Sequence, residues 1–175
     1  MSNRATMQLL DVLVHHRPGV LYRISNLFRR RGFNITSVAV GIGEKDNVAR
    51  LTLGMRGERA DAEQLVKYLE NLVDVISAEI IDRDTAVTRE LALIKLQPDP
   101  RARLEIIQLA NVFRSSIVHM SDESIIIETV GDSEKIDAFI ELARRYGLKE
   151  VSRTGTTALP RGSGTESEDK NHVSL

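Results

Sequence analysis

The residues best suited to bind a small molecule form a turn, His16-Arg17-Pro18-Gly19-Val20-Leu21. An apolar segment precedes this turn and a helix-like apolar period follows it, so the turn is expected to join a strand to the start of a helix. The first N–H groups of a helix lack intrahelical acceptors and carry a partial positive charge, which suits a carboxylate. Gly19 also has no Cβ to block a ligand. The turn therefore predicts a carboxylate-binding site.

A free amino acid as ligand would need an ammonium acceptor and an apolar pocket beside this turn. The N–H groups of Gly19, Val20 and Leu21 would hold the carboxylate. The side-chain oxygen of Asn34 would accept from the ammonium group, and Val20, Leu21 and Ile35 would form the apolar wall.

A second interpretation of the same residues is purely structural. Pro-Gly pairs are common in loops, so Pro18-Gly19 would be only a tight connection. Asn34 would then be only the residue before a strand. Spacing alone does not decide between these two interpretations.

Six elements are expected to position these residues in the first half of the chain. The helix after the turn carries its apolar residues on one face and ends at Gly32, which can adopt the left-handed conformation of a helix C-terminus. The order strand, helix, strand, strand, helix, strand is that of ferredoxin-like folds. The expected elements are the strand 7–14, the helix 20–31, a strand from 35, the strand 48–56, the helix 61–72 and the strand 75–81.

The same order repeats after the polar stretch 82–85, which indicates a structural duplication. Asp99 is expected to cap the first helix of the repeat, with Pro100 in its first turn. The fold class is therefore α+β, with two ferredoxin-like βαββαβ domains at 7–82 and 83–161 and a disordered tail at 162–175. The expected elements of the repeat are strands 91–96, 116–120, 124–130 and 151–156 and helices 101–113 and 133–146.

Composition excludes several classes of function. The formal net charge of −1 gives no basic excess for nucleic acid. The chain has no cysteine, and its four histidines lack the spacing of a zinc site, so we expect neither disulfides nor metal. No apolar run is long enough to span a membrane, and the start of the sequence lacks a signal-peptide core. We expect a cytoplasmic protein that does not bind membranes and, without a nucleophile–base pair, does not catalyse a reaction by itself.

Two charged clusters leave alternatives open. The residues Arg23, Arg29, Arg30 and Arg31 form either a solvated helix face or a docking surface for an acidic partner protein. Asp137 and Glu141 lie one helical turn apart, as catalytic acid–base pairs sometimes do. Their helix is amphipathic and they lie on its polar side, so we expect them to be solvated.

The ordered motifs of both halves closely resemble one family, the regulatory (small) subunits of acetolactate synthase. The resemblance covers about residues 7–162. In the first half it rests on HHRPGVLYRISNLFRRRGFNITSVAVG, LVDVI and RELALIKL. In the second half it rests on FRSSIVHMS, GDSEKIDAFIELARRYGLKEVSRTG and ALPRG.

The resemblance implies that the first half is an ACT domain and the second an ACT-like domain. ACT domains pair into homodimers with effector sites between the chains. Here the effector would be valine or another branched-chain amino acid, and it would cause feedback inhibition. The small subunit would also stimulate a separate catalytic subunit that carries thiamine diphosphate, magnesium and FAD.

The family's effector site maps onto six positions of this chain. One chain would contribute His16, Gly19, Val20 and Leu21, and its partner would contribute Asn34 and Ile35; these are the residues that the resemblance implies. Many relatives have Asn at the position of His16, and an imidazole there would make effector affinity depend on pH.

An alternative function is a stand-alone ACT-type amino-acid sensor that regulates another enzyme or transcription. Regulation of transcription would require a DNA-reading helix–turn–helix. Both predicted domains are fully used by βαββαβ elements, so no segment of them is left to form one.

Overall fold

The computed structural model describes residues 6–161, and the predicted disordered tail 162–175 lies outside the described residues. The described chain forms two antiparallel sheets, each with two helices. The first half comprises β1 (Thr6–His15), α1 (Val20–Arg31), β2 (Ile35–Ile42), β3 (Val48–Gly57), α2 (Arg59–Glu70) and β4 (Val75–Ile81). The second half comprises β5 (Ala86–Leu96), α3 (Arg103–Val112), β6 (Ser116–Met120), β7 (Ile125–Gly131), α4 (Ser133–Ala143), β8 (Leu148–Arg153) and β9 (Thr157–Pro160).

The first sheet has the strand order β2-β3-β1-β4, which is the ferredoxin-like order. Side chains alternate between its two faces, so every second residue of β1 packs beneath α1 and α2. Leu10 and Val12 of β1 contact Ile24 and Phe28 of α1 and Leu65 of α2 in one buried cluster. β2 and β4 are the edge strands.

The second sheet repeats this order as β6-β7-β5-β8, with α3 and α4 on one face. Its core contains Ile94 and Ile127 from the sheet and Ile106 and Phe139 from the helices. The rings of Phe113 and Phe139 meet edge to face at 5.3 Å. The prediction of two βαββαβ units is therefore confirmed.

The end of the second half differs from the prediction. The predicted strand 151–156 ends at Arg153, because the left-handed Gly155 (φ 79°) turns the chain into β9. β9 then pairs with the start of β5, in the register Ala86 opposite Pro160, and this pairing extends β5 five residues before the predicted start. Four residues that include a proline carry little strand signal, so β9 was not predicted.

The helices α2 and α3 start at other residues than the sequence predicts, because of local hydrogen bonds. α2 begins at Arg59, two residues early, because Glu58 and Asp61 form a capping box with a 2.9 Å bond from Glu58 N to Asp61 Oδ2. The predicted cap at Asp99 is confirmed, since its carboxylate accepts from Arg101 N at 2.9 Å. The chain then makes one 3₁₀ turn, Pro100–Ala102, before α3 starts.

The two halves pack against each other through the helix-free face of the first sheet. Leu9 of β1, Ile81 of β4, Ala86 of β5 and Ala158 of β9 form a small buried cluster there. β9 also contacts β3 and β4. The additional strand thus connects the second sheet to the first.

A buried carboxylate, Asp11, lies on the same helix-free face. Asp11 is 4% exposed, and its Oδ2 lies 3.1 Å from Nη1 of Arg50. Its Oδ1 has no hydrogen-bond partner among the described residues. Burial raises the pKa of Asp11 from 3.8 to about 6, against the opposing attraction of Arg50. Glu79 and Glu44 add smaller repulsions that raise the pKa further.

This raised pKa predicts a specific pH dependence of stability. The folded protein binds the Asp11 proton more tightly than the unfolded chain, so folding stability is lost as pH rises from about 4 to 6 and stays lower above that. The substitution Asp11→Asn removes the charge, so the melting temperature of the variant should exceed that of the wild type above pH 6. The gain should shrink towards pH 4.

The matched control for this prediction is Asp122→Asn, because Asp122 is exposed in the β6–β7 turn. Thermal melts of the three proteins between pH 4 and 8 provide the measurement. A gain for Asp11→Asn that does not change over this range would contradict the prediction.

Candidate functional site

The turn between β1 and α1 has the geometry that the sequence predicts. Gly19 adopts a left-handed conformation (φ 87°), and no other group lies within 4 Å of the position that a Cβ would occupy. α1 starts at Val20 and ends at the left-handed Gly32, with φ 73°. Both glycines are therefore required by the backbone conformation at the two ends of this helix.

Two backbone hydrogen bonds hold the turn against the neighbouring loops, and a third lies within the turn. His15 N donates to Asp74 O at 2.8 Å, and His16 N donates to Asn47 O at 2.7 Å. Arg17 N donates to His15 O at 2.8 Å. Arg23 of α1 also forms an ion pair with the buried carboxylate of Asp74. The turn is thus fixed between the β2–β3 loop and the α2–β4 turn.

The first turn of α1 lacks a side-chain cap. The N–H groups of Gly19 and Leu21 have no acceptor among the described residues, and Val20 N has only a long 3.4 Å contact with Arg17 O. No acidic residue lies in this first turn. The amide hydrogens at the start of α1 are therefore free to bind an anion.

A pocket of about 320 Å³ lies beside this turn, and most of its surface is apolar. His16, Gly19, Val20 and Leu21, all predicted as site residues, line it. Sequence reasoning missed seven other lining residues, although Arg17 and Tyr22 lie in or next to the predicted motif; the seven are Val14, His15, Arg17, Tyr22, Val40, Ala49 and Leu51.

Leu21 belongs to this pocket and not to the core of α1. Leu21 is part of the apolar period of α1, yet it is 49% exposed. Val20, Ile24 and Phe28 of the same period are buried. A leucine at the second helical position lies above the edge of the sheet, where β2 leaves it uncovered. Its role as a pocket wall agrees with its position.

Asn34 and Ile35 do not line the turn pocket of their own chain. They stand at the start of β2, whereas the strand residue that lines the turn pocket, Val40, lies near the end of β2. Five residues of a strand span roughly 16 Å. Ile35 lines a separate pocket of about 310 Å³ together with Leu21 and Tyr22. A single chain therefore brings Ile35 near Leu21, but it does not place Asn34 beside the turn.

β2 is an edge strand with an exposed apolar side. Val38 and Val40 point to the side of the sheet that carries α1, yet they are 39% and 54% exposed. Ile42 is 84% exposed, and Leu21 and Tyr22 of α1 extend the same apolar surface. An open strand edge with apolar side chains is a surface that favours pairing with another strand.

Three of the four arginines of the α1 cluster, Arg23, Arg29 and Arg31, make contacts of different kinds. Arg23 pairs with Asp74, Arg29 donates to Asn26 Oδ1 at 3.2 Å, and Arg31 lies 3.7 Å from the centre of the Tyr68 ring. Arg23 therefore holds α1 to the α2–β4 turn, and Arg31 holds it to α2. Neither of the two predicted interpretations, a solvated face or a docking surface, included these contacts.

A second cleft, of about 740 Å³, lies between the two halves. Asn34 and Arg56 line it from the first half, and Glu90, Asp137 and Arg153 line it from the second. The prediction that Asp137 is only solvated is incomplete, because its Oδ1 lies 2.5 Å from Arg153 Nη1. That ion pair joins α4 to β8, 16 residues further along the chain, so the periodicity of the helix alone could not reveal it.

Neither a metal-binding cluster nor a membrane-spanning helix is found among the described residues. Within residues 6–161, His, Cys, Asp and Glu side chains form no group of three that could hold a metal ion. None of the helices in that range is long and apolar enough to cross a membrane.

Two family models match the chain, one in each half. Residues 10–77 match the model described as "AHAS small subunit-like ACT domain". Residues 89–162 match the model described as "Small subunit of acetolactate synthase". The matches agree with the resemblance that the sequence motifs indicate.

Individual relatives extend over almost the whole chain. A probable acetolactate synthase small subunit of Methanothermobacter thermautotrophicus is 47% identical, over 90% of this chain and 94% of its own length. The acetolactate synthase small subunit of Bacillus subtilis is 41% identical, over 96% of this chain and 98% of its own length. The crystal structure of the acetolactate synthase small subunit of Thermotoga maritima superposes with a TM-score of 0.85 at 39% identity, covering 91% of this chain and 99% of that one.

Proposed function

The chain belongs to the family of acetolactate synthase small subunits, and from this premise we propose that it regulates a separate catalytic subunit in response to a branched-chain amino acid. The effector, valine or a close analogue, binds between the first domains of two copies. The two functional units are residues 7–82 and 83–161, and the complex acts in the cytoplasm. The small subunit stimulates the catalytic subunit, and bound effector inhibits it.

The observation that carries this proposal is the uncapped start of α1 beside an apolar pocket. Free amide hydrogens at Gly19 and Leu21 suit the carboxylate of an amino acid. Val20, Leu21 and Val40 suit a small branched side chain. His16 and Arg17 add polar groups at the rim of the pocket.

The ammonium acceptor comes from the second copy. Two β2 strands that pair antiparallel about a two-fold axis place the start of one strand beside the end of the other. Asn34 and Ile35 of one copy then lie near Val40 of the partner and hence near its turn. The exposed apolar residues Val38 and Ile42 are covered in the same step. This pairing would add Asn34 and Ile35 of one copy to the four turn residues of the other, His16, Gly19, Val20 and Leu21.

Regulation requires that the effector bind one arrangement of the paired domains more tightly than another. That preference is a coupling free energy, typically about 1–3 kcal/mol. The chemical step takes place on the catalytic subunit, which carries thiamine diphosphate, magnesium and FAD. This chain contributes no catalytic residue to it.

The effector site predicts the effect of a charge at Gly19. The substitution Gly19→Asp brings a carboxylate to the amide hydrogens that receive the ligand's carboxylate, so valine affinity should fall about tenfold or more. Valine inhibition of the reconstituted enzyme should weaken with it, while stimulation of the catalytic subunit stays close to wild type. Calorimetric titration and activity assays with valine, leucine and isoleucine provide the measurement.

Gly19→Asn is the matched control, because Asn has nearly the same size and tolerates the left-handed conformation as well as Asp does. It should bind valine more tightly than Gly19→Asp does. Wild-type affinity in Gly19→Asp would contradict the site. If the wild-type chain binds none of the three amino acids, the proposed function fails as a whole.

The edge strand predicts a dimer that a charge on β2 disrupts. Val40→Lys places an ammonium group in the apolar contact, where its desolvation is unfavourable. Sedimentation velocity should show a wild-type dimer and a Val40→Lys monomer. Ile76→Lys, at a comparably exposed position of 48% on the other edge strand, should remain a dimer. A dimeric Val40→Lys variant would contradict pairing through β2.

A further inference from the structure

A short segment of the second half, residues 153–156, is held rigidly by charged and hydroxyl groups. Arg153 donates to both oxygens of the Glu90 carboxylate, at 2.7 and 2.8 Å, and to Asp137 at 2.5 Å. Glu90 is only 5% exposed. A bidentate, charge-assisted pair of this kind fixes both distance and orientation. Arg153 thus connects β8 to β5 and to α4.

Hydroxyl groups fix the rest of the segment. Ser133 Oγ, at the start of α4, lies 3.2 Å from Glu90 Oε2 and 3.2 Å from Thr156 Oγ1. Leu91 N donates to Thr154 Oγ1 at 3.1 Å. Every residue of the segment except Gly155 therefore has a side-chain hydrogen bond to β5 or α4. Gly155 adopts the left-handed conformation that the tight bend requires.

Gly155 lies against the first half at β2. A Cβ on Gly155 would stand 3.2 Å from the Ser37 Cβ and 3.5 Å from the Val38 carbonyl oxygen. On its other side, Ser37 is packed onto Gly54 of β3, where a Cβ would stand 2.3 Å from Ser37 Oγ. Ser37 is thus enclosed between two glycines, one from each half of the chain.

Ser37 lies on β2 close to the proposed effector residues Asn34 and Ile35, so its contact with Gly155 connects that region to the second half. β2 shifts register between Ile35 and Ser37, so the strand is irregular between the proposed effector residues and the contact with Gly155. Ser37 follows Asn34 by three residues. The interdomain cleft is lined by Asn34 and Ser37 together with Arg153 and Gly155. A shift of the start of β2 would therefore act on a segment that hydrogen bonds hold to β5 and α4.

We propose that the segment Arg153–Thr156 couples the effector site to the second half through its contact with Ser37, with Arg153 as the positioning residue. This proposal rests on the proposed function. Effector binding fixes the start of β2, Ser37 transmits that position to Gly155, and Arg153 passes it to β5 and α4 through Glu90 and Asp137. Such a route requires a direct test of coupling, because proximity alone does not establish it.

The test separates effector binding from its consequence. Full-length Arg153→Gln keeps a polar side chain but loses the charge that holds the segment. Its valine affinity by calorimetry should stay within about twofold of wild type, whereas the maximal valine inhibition of the reconstituted enzyme should fall by about half or more. Lys95→Gln is the matched control. It breaks another ion pair between β5 and β8, Lys95 to Glu150 at 2.9 Å, five residues further along β5, and should keep full inhibition.

A second pair of variants tests the contact itself. Ser37→Gly removes the Cβ that meets Gly155 and should weaken inhibition as Arg153→Gln does. Ser37→Ala keeps that Cβ and should retain inhibition. If Ser37 had a purely structural role, Ser37→Gly and Ser37→Ala would both show lower stimulation, a lower melting temperature and weaker inhibition. That outcome would overturn the proposal.

Three other results have distinct meanings. Full valine inhibition in both Arg153→Gln and Ser37→Gly would overturn the coupling route while leaving the effector site intact. Loss of valine binding in Arg153→Gln, with a normal melting temperature, would also overturn it, because Arg153 would then belong to the site itself. Absence of valine binding by the wild-type chain would refute the proposed function and this inference with it.

Discussion

The amide hydrogens at the start of α1 are the feature on which the functional account depends. Within residues 6–161, α2, α4 and the 3₁₀ turn that leads into α3 have side-chain caps at their N-termini. Glu58 and Asp61 cap α2, Asp99 caps the turn that leads into α3, and Asp132 caps α4 through a 2.7 Å bond from Lys135 N. α1 begins instead at Gly19, which has no side chain to offer. The proposed carboxylate site therefore lies at a helix start that no side chain of the described residues caps.

The duplication makes this contrast informative. The turn before α3 occupies the same place in the second unit as the Gly19 turn does in the first. There the Asp99 carboxylate already accepts from Arg101 N, and Pro100 has no N–H to donate. The proposed anion site of the first half therefore has a self-capped turn as its counterpart in the second half. Because the corresponding turn of the second half is capped, we do not expect an effector site there, and we propose instead that the second half transmits the effector signal.

Much of the fold could be predicted because it depends on local signals. Alternating and helical apolar periods located all four helices and eight of the nine described strands. Glycine marked the ends of α1, and Asp99 marked the start of a helix. The turn pocket followed from the Pro18-Gly19 motif, although Arg17 and Tyr22 were not recognised as lining it.

The remaining features depend on contacts between distant residues. β9 exists because β5 offers it a pairing edge, and the burial of Asp11 depends on which face the second half covers. The ion pairs of Arg153 connect residues up to 63 positions apart, which no local pattern encodes. The proposed role of Asn34 would require a second copy, because within a single chain Asn34 does not line the turn pocket.

Subunit mixing tests most directly whether one effector site is built from two chains. A chain with Gly19→Asp and a chain with Asn34→Ala each lack one part of the site, so each homodimer should bind valine weakly. In the mixed dimer, the intact turn of one chain faces the intact Asn34 of the other. The account predicts that mixing restores one wild-type-affinity site per heterodimer, measured by calorimetry on the purified heterodimer. If the heterodimer binds valine no better than either homodimer, the site does not form between the chains and the account is wrong.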